Sequence, residues 1–272
     1  MKNITFNSTS FSDQLGLYDF FNVLIYGATF ICGICVLNAS LYSILWNNLS
    51  FQKGLAIVLL IYIIGMILQE VGSFVDRRFT NLYTGMHQSI LKGSLDEKYE
   101  KENSNDIIKN PVVLKRYRDM ADQLIAEYVS KNNADRFENE YINGYVFAIC
   151  QYAVSVKGKD KKVEKLRALF SMSKTLMSCF FLLAICAFIT LIFNIDMSVE
   201  ICNSFGISLH GCEHCIDKII MIVVFLGAGF AFYFRAKRTM RNFLLILLGT
   251  YNAILEADKN ENNQGENLNE KL

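Results

Sequence analysis

FFNVLIYGATFICGICVLNASLYSILW, residues 20–46, carries no ionisable side chain other than tyrosine and cysteine. As a helix rising about 1.5 Å per residue it reaches roughly 40 Å, enough to cross a hydrocarbon core of roughly 30 Å. Three further stretches read the same way: Gly54 to Gln69, extended to Val75 with Glu70 as its one charge; Thr175 to Phe193; and Ile219 to Phe234. None contains proline or the strict alternation of a barrel strand. The fold class expected is an all-α integral membrane protein, with four transmembrane helices in two hairpins and a cytoplasmic helical domain inserted between them. A cleaved signal peptide is the rival reading of the first stretch. It would need a basic leader and a shorter apolar run, and only Lys2 precedes this one.

Composition agrees. Of 272 residues, 52% are hydrophobic and one is proline, which excludes a disordered chain and an extracellular disulfide scaffold. The net charge of +1 conceals a strong asymmetry. Asn47 to Lys53 holds one basic residue and Asn194 to Lys218 holds one, whereas Asp76 to Lys174 holds 18, and Arg235, Lys237, Arg238 and Arg241 follow the fourth stretch. Basic residues near a span stay on the cytoplasmic side. Both termini and the insert are therefore expected inside, and the two short loops outside. Heavy use of Lys, Asn and Ile points to a bacterial source and an inner membrane.

The chain is thus expected to divide into a cytoplasmic N-terminal segment (1–19), a first transmembrane hairpin (20–75), a cytoplasmic helical domain (76–169), a second hairpin (170–235) with an external loop (194–218), a cytoplasmic C-terminal helix (236–256) and a disordered tail (257–272). Arg77 to about Leu91 continues the second span. Asn110-Pro111 is a helix start, and Val113, Tyr117, Met120, Leu124 and Tyr128 form one apolar stripe after it. A second stripe joins Phe137, Tyr141, Tyr145, Ile149, Tyr152 and Val156. Lys157 to Asp160 form a turn before a long helix that becomes the third span. The fourth span runs on past its basic cluster, with Phe243, Leu247, Tyr251, Ile254 and Leu255 on the face that packs on the inner domain. The tail is Asn-, Glu- and Lys-rich.

No enzyme signature is present: neither GxGxxG, a Walker A loop, GxSxG nor HExxH occurs. Carboxylates such as Asp119, Asp122, Glu138 and Glu140 read as a solvated helix face. The expectation is a protein that is not an enzyme and needs no cofactor. The densest donor cluster is in the external loop: Cys202, His210, Cys212, His214 and Cys215. One disulfide from Cys202 to Cys212 or Cys215 is the plainer account, and a zinc or copper site would use the same donors. Inside the spans, Ala28, Cys32, Cys35 and Ala39 make a small-residue stripe. Gly65, Gln69, Gly72 and Ser73 make a small, mildly polar face, and Gly227, Gly229 and Ala231 repeat it. Asn22, Asn38, Gly65, Gln69, Gly72 and Ser73 are the pore or helix-packing candidates. Glu70 and Lys174 fall at similar depth, where an acid and a base cost less paired than alone, so an ion pair is expected between them.

Tyr62, Gly65, Gln69, Gly72 and Ser73 ending in Asp76-Arg77-Arg78, with Phe170-Ser171-Met172-Ser173-Lys174 entering the third span, resemble bacterial small multi-pass membrane proteins of the phage-defence effector type, the Hailong membrane effectors among them. Lys174 stands where such proteins often carry arginine, and the positive charge is kept. The resemblance implies a homo-oligomeric channel-like effector that depolarises or permeabilises the inner membrane when its cytoplasmic domain is triggered. In such effectors the channel is held shut by a nucleic-acid product of a partner enzyme, so the resemblance implies as partners a cytoplasmic regulatory enzyme and a nucleic-acid or nucleotide ligand. Lys115, Arg116 and Arg118, or Lys157, Lys159, Lys161 and Lys162, would hold it; a basic band of this kind also suits lipid headgroups. Two other functions remain open: a non-enzymatic membrane scaffold whose insert docks a partner, and metal or redox sensing through the external loop.

Overall fold

A computed structural model describes residues 9–47, 50–80, 82, 119–120, 122–124, 126, 139–195 and 213–269. All regular structure among them is helical. The helices are α1 (Thr9–Leu37), α2 (Ala39–Trp46), α3 (Phe51–Val75, continued as a π-helical turn over Asp76–Thr80), α4 (Asn139–Val156), α5 (Lys161–Ile192) and α6 (Glu213–Asn269). Four stretches are long and apolar enough to cross a membrane: Phe20–Leu37, Phe51–Thr80, Lys161–Ile192 and Cys215–Asp258. The chain forms two compact units. One comprises Met1–Phe79 and Phe170–Ala236, the other Thr80–Leu169 and Lys237–Leu272.

In the first unit, side chains are small where helices meet. A Cβ at Gly27 would fall on the Ile61 carbonyl of α3, and one at Gly65 on the Val23 carbonyl of α1, so glycine alone permits this approach. Helix α5 is the hub. Its Leu183 fills the space over Gly33 of α1, its Thr175 lies against Gly72 of α3, and its Phe181 covers Gly229 of α6. Phe180 stacks on Phe232 at 5.5 Å, and Phe181 meets Phe230 edge-on at 5.6 Å. Such aromatic pairs each contribute roughly 0.5–1.5 kcal/mol beyond their buried area. Met177, Cys179, Leu183 and Ala187 are fully buried along α5. By contrast, Leu55, Leu59, Ile63 and Ile67 of α3 and Val223, Phe230 and Phe234 of α6 are exposed.

Helix ends follow their capping chemistry. α5 closes on Asn194 at φ 50, with the Ile195 N–H donating to the Thr190 carbonyl. Lys218 of α6, itself buried, donates to Asn194 Oδ1 at 2.9 Å and ties this turn down. The first apolar stretch does not run unbroken to Trp46. Asn38 is extended (φ −142, ψ 107), and its Oδ1 accepts from the Leu41 N–H, so it ends α1 and caps α2. An asparagine competes for backbone donors in this way and starts a new helix rather than continuing the old one.

In the second unit, Val146, Phe147, Cys150 and Val154 of α4 are buried, as are Phe243, Leu244, Leu247, Leu248, Tyr251 and Ile254 of α6. Burying each such side chain contributes roughly 1.5–3 kcal/mol before entropy is counted. The stripe expected on α4 is corrected at its C-terminal end: Tyr152 and Val156 are 74% and 60% exposed, Ile149 is half-buried, and the buried face lies about one residue round the helix; Phe137 and the side chains of Tyr141 and Tyr145 lie outside the described residues. Met120 is buried and Leu124 half-buried, in keeping with the stripe expected there, while Val113, Tyr117 and Tyr128 lie outside the described residues. α4 ends in a Schellman turn, in which the Gly158 N–H bonds the Ser155 carbonyl and the Lys159 N–H bonds the Val154 carbonyl. Gly158 takes φ 65, which glycine adopts without strain. Lys157 pairs with Asp258 at 2.8 Å. Both are about half exposed, so the pair contributes about 1 kcal/mol at most. The tail expected to be disordered from Ala257 is instead helical to Asn269.

Candidate functional site

The polar groups inside the first unit gather on one face of α3. Residues 65, 69, 72, 73 and 76 recur at three- and four-residue steps and therefore share a side of the helix. Gly65 and Gly72 are buried against α1 and α5, as described. Gln69 and Ser73 are half-buried, and Asp76 is buried at the start of the π-helical turn. Turns of this type lie frequently at functional positions.

Ser73 is the junction. Its hydroxyl donates to the Gln69 carbonyl at 3.1 Å and accepts from Lys174 Nζ at 3.3 Å. A hydroxyl has one proton and two lone pairs, so the carbonyl takes the proton and a lone pair faces the ammonium. Lys174 also lies over the Phe170 ring, 5.8 Å from its centroid. The charges acting on Lys174 are Asp76 first, then Arg77, then Glu70. The ion pair expected between Glu70 and Lys174 is therefore not the contact formed. Glu70 is exposed, because it points about 120° away from the Gln69, Gly72, Ser73 and Asp76 face, and the lysine reaches Ser73 instead.

Thr175, the next residue, is fully buried, and its Oγ1 has no hydrogen-bond partner among the described residues. A Cβ at Gly72 would come within 3.2 Å of that oxygen, so the hydroxyl is held against the bare backbone of α3.

The other candidates are placed as follows. Asn22 is half-buried on α1, and Asn38 is spent on capping α2. In the small-residue stripe Cys35 is buried and Cys32 exposed, and neither is in a disulfide. Gly229 packs under Phe181, whereas Gly227 has open space around it. In the second unit Lys157, Lys159, Lys161 and Lys162 are exposed around the α4–α5 turn, and Asp160 in their midst accepts a hydrogen bond from Ser155 at 3.3 Å. Lys115, Arg116 and Arg118 lie outside the described residues, as do Cys202, His210, Cys212 and the side chain of His214. Cys215, at the start of α6, is an exposed free thiol. No group of three His, Cys, Asp or Glu suited to a metal occurs among the described residues.

The reading from sequence missed Gly27, Asp76 and Lys218. Asp76 and Lys218 could have been found as the charges that border the apolar stretches. Gly27 gave no signal, since its partner is a backbone carbonyl of another helix. The sequence matches no family model, no curated protein and no solved structure.

Proposed function

We propose that the chain is one subunit of a homo-oligomeric, channel-like effector that depolarises or permeabilises a bacterial inner membrane in phage defence. In this reading the spans form two hairpins, both termini are cytoplasmic, and the second unit is a cytoplasmic sensor. The sensor takes a nucleic-acid or nucleotide signal, with Lys159, Lys161 and Lys162 as candidate contacts. Lys174 carries the reading. Its ammonium has three donors and, among the described residues, one hydrogen-bond acceptor, Ser73 Oγ, on the polar face of α3 that also carries Gln69 and the buried Asp76. An ionisable group placed so faces water or another polar surface rather than lipid. Four helices of one subunit enclose little space, so a hydrated path along Gln69, Ser73 and Lys174 needs several copies.

The test is membrane potential and viability in bacteria expressing the chain, beside Gly72→Leu and a chain lacking residues 76–169. A leucine at position 72 would push α3 from Thr175 and part Ser73 from Lys174. Rapid depolarisation that either change alters supports the proposal. Unchanged potential at matched membrane expression, with or without a candidate regulatory enzyme, contradicts it. A membrane scaffold is the second reading, supported by Tyr152 and Val156, exposed one turn apart on α4.

A further inference from the structure

Helix α2 has no buried residue and no charge, yet it joins two of the stretches long enough to cross a membrane. It lies at the end of the bundle where α1 gives way to α3. Tyr42 is 50% exposed, Ile44 65% and Trp46 42%, and no described residue covers them. Two features fix the helix in place. The Asn38 cap turns the chain out of α1, and the Trp46 indole comes within hydrogen-bonding reach of the Cys35 thiol. At 100° per residue, Ile44, Leu41, Leu45, Tyr42 and Trp46 follow one another round an arc of about 200°, and Ser43 and Ser40 occupy the remaining arc, with Ser43 about 60° from Trp46.

We infer that α2 lies flat in the headgroup region of the bilayer, with Tyr42 and Trp46 facing the lipid and Ser40 and Ser43 facing water. Three observations select lipid over a second copy of the chain. Apolar exposure runs on from α2 into the start of α3, where Phe51, its first residue, is almost fully exposed and Leu55, Val58 and Leu59 are exposed after it. Tyrosine and tryptophan, with an apolar ring and a polar edge, collect at membrane interfaces. An eight-residue helix rises only about 12 Å, too short to span by itself, and its two serines sit together on one side. The inference rests on the four helices crossing a bilayer and not on conduction.

Trp46 is the chain's single tryptophan, so its fluorescence reports this helix alone. The full chain is reconstituted in phosphatidylcholine vesicles, insertion is checked by flotation, and emission is quenched by lipids brominated near the headgroup end or near the terminal methyl. The expected result is stronger quenching by the shallow bromine than by the deep one, with the same order in Cys35→Ser, which removes the neighbouring thiol. Stronger deep quenching, quenching by aqueous acrylamide alone, or no quenching by either lipid in a floating protein overturns the inference. A chain that does not float overturns the membrane reading itself.

Discussion

Single atoms decide how closely the spans approach. At Gly27 a methyl group would meet the Ile61 carbonyl, and backbone cannot rotate away as a side chain can. Gly27→Ala should therefore cost about 1–3 kcal/mol, the usual range for overpacking. Gly227, with nothing within 4 Å of an added Cβ, should behave oppositely: Gly227→Ala should stabilise by roughly 0.5–1 kcal/mol through helix propensity. Thermal melts of the purified protein in one detergent check both signs. In the second unit, burial raises the Cys150 thiol from near 9.0 to about 12. The folded state thus keeps a proton that the unfolded chain releases. Stability from this group is whole below pH about 9 and falls as pH rises toward about 12, by as much as roughly 4 kcal/mol. Denaturant titrations against pH should show that decline, and Cys150→Ala should flatten it. At mildly alkaline pH, iodoacetamide should modify the exposed Cys215 well before Cys150. Small residues at helix contacts were legible in the sequence as the Gly65, Gly72 face. The partner of Gly65 was not, because the Val23 backbone carbonyl that it meets leaves no mark on composition.

Elements follow local rules wherever one chemical group dominates. The long α5 and α6, the turn at Lys157 to Asp160 and the continuation of α6 past Arg241 could all be read from apolar periodicity and the turn residues. Two readings failed for the same reason: residue class was taken for residue role. Asn38 looked like a polar group within a span and is a cap, and Tyr152 of α4 looked like core and gives way to Val146, Cys150 and Val154. Asn38→Ala should cost α2 about 1 kcal/mol. Hydrogen exchange of the amides of residues 39–46 should then quicken by roughly fivefold, if the loss falls on local opening. Unchanged exchange would mean that α2 is held by its contacts with α1 and not by its cap.

Across the whole molecule, the four apolar helices are legible in the sequence, since runs of that length with so few charges are those that span a bilayer. Which polar groups face one another inside them was not evident. The expected Glu70–Lys174 pair and the observed Ser73–Lys174 contact differ by less than one helical turn, a distance that depends on how α3 rotates to seat Gly65 and Gly72. That rotation places Gln69, Ser73 and Lys174 on one face, and the account holds that water reaches this face in an assembly of several copies. The most direct test is thiol accessibility in bacterial spheroplasts. With the eight native cysteines replaced, Gln69→Cys and, as a lipid-facing comparison, Ile63→Cys are each exposed to a membrane-impermeant methanethiosulfonate. Rapid modification of Gln69→Cys with Ile63→Cys left untouched is the result predicted. Equal protection of both positions in protein confirmed to be membrane-inserted would contradict an aqueous path through the spans.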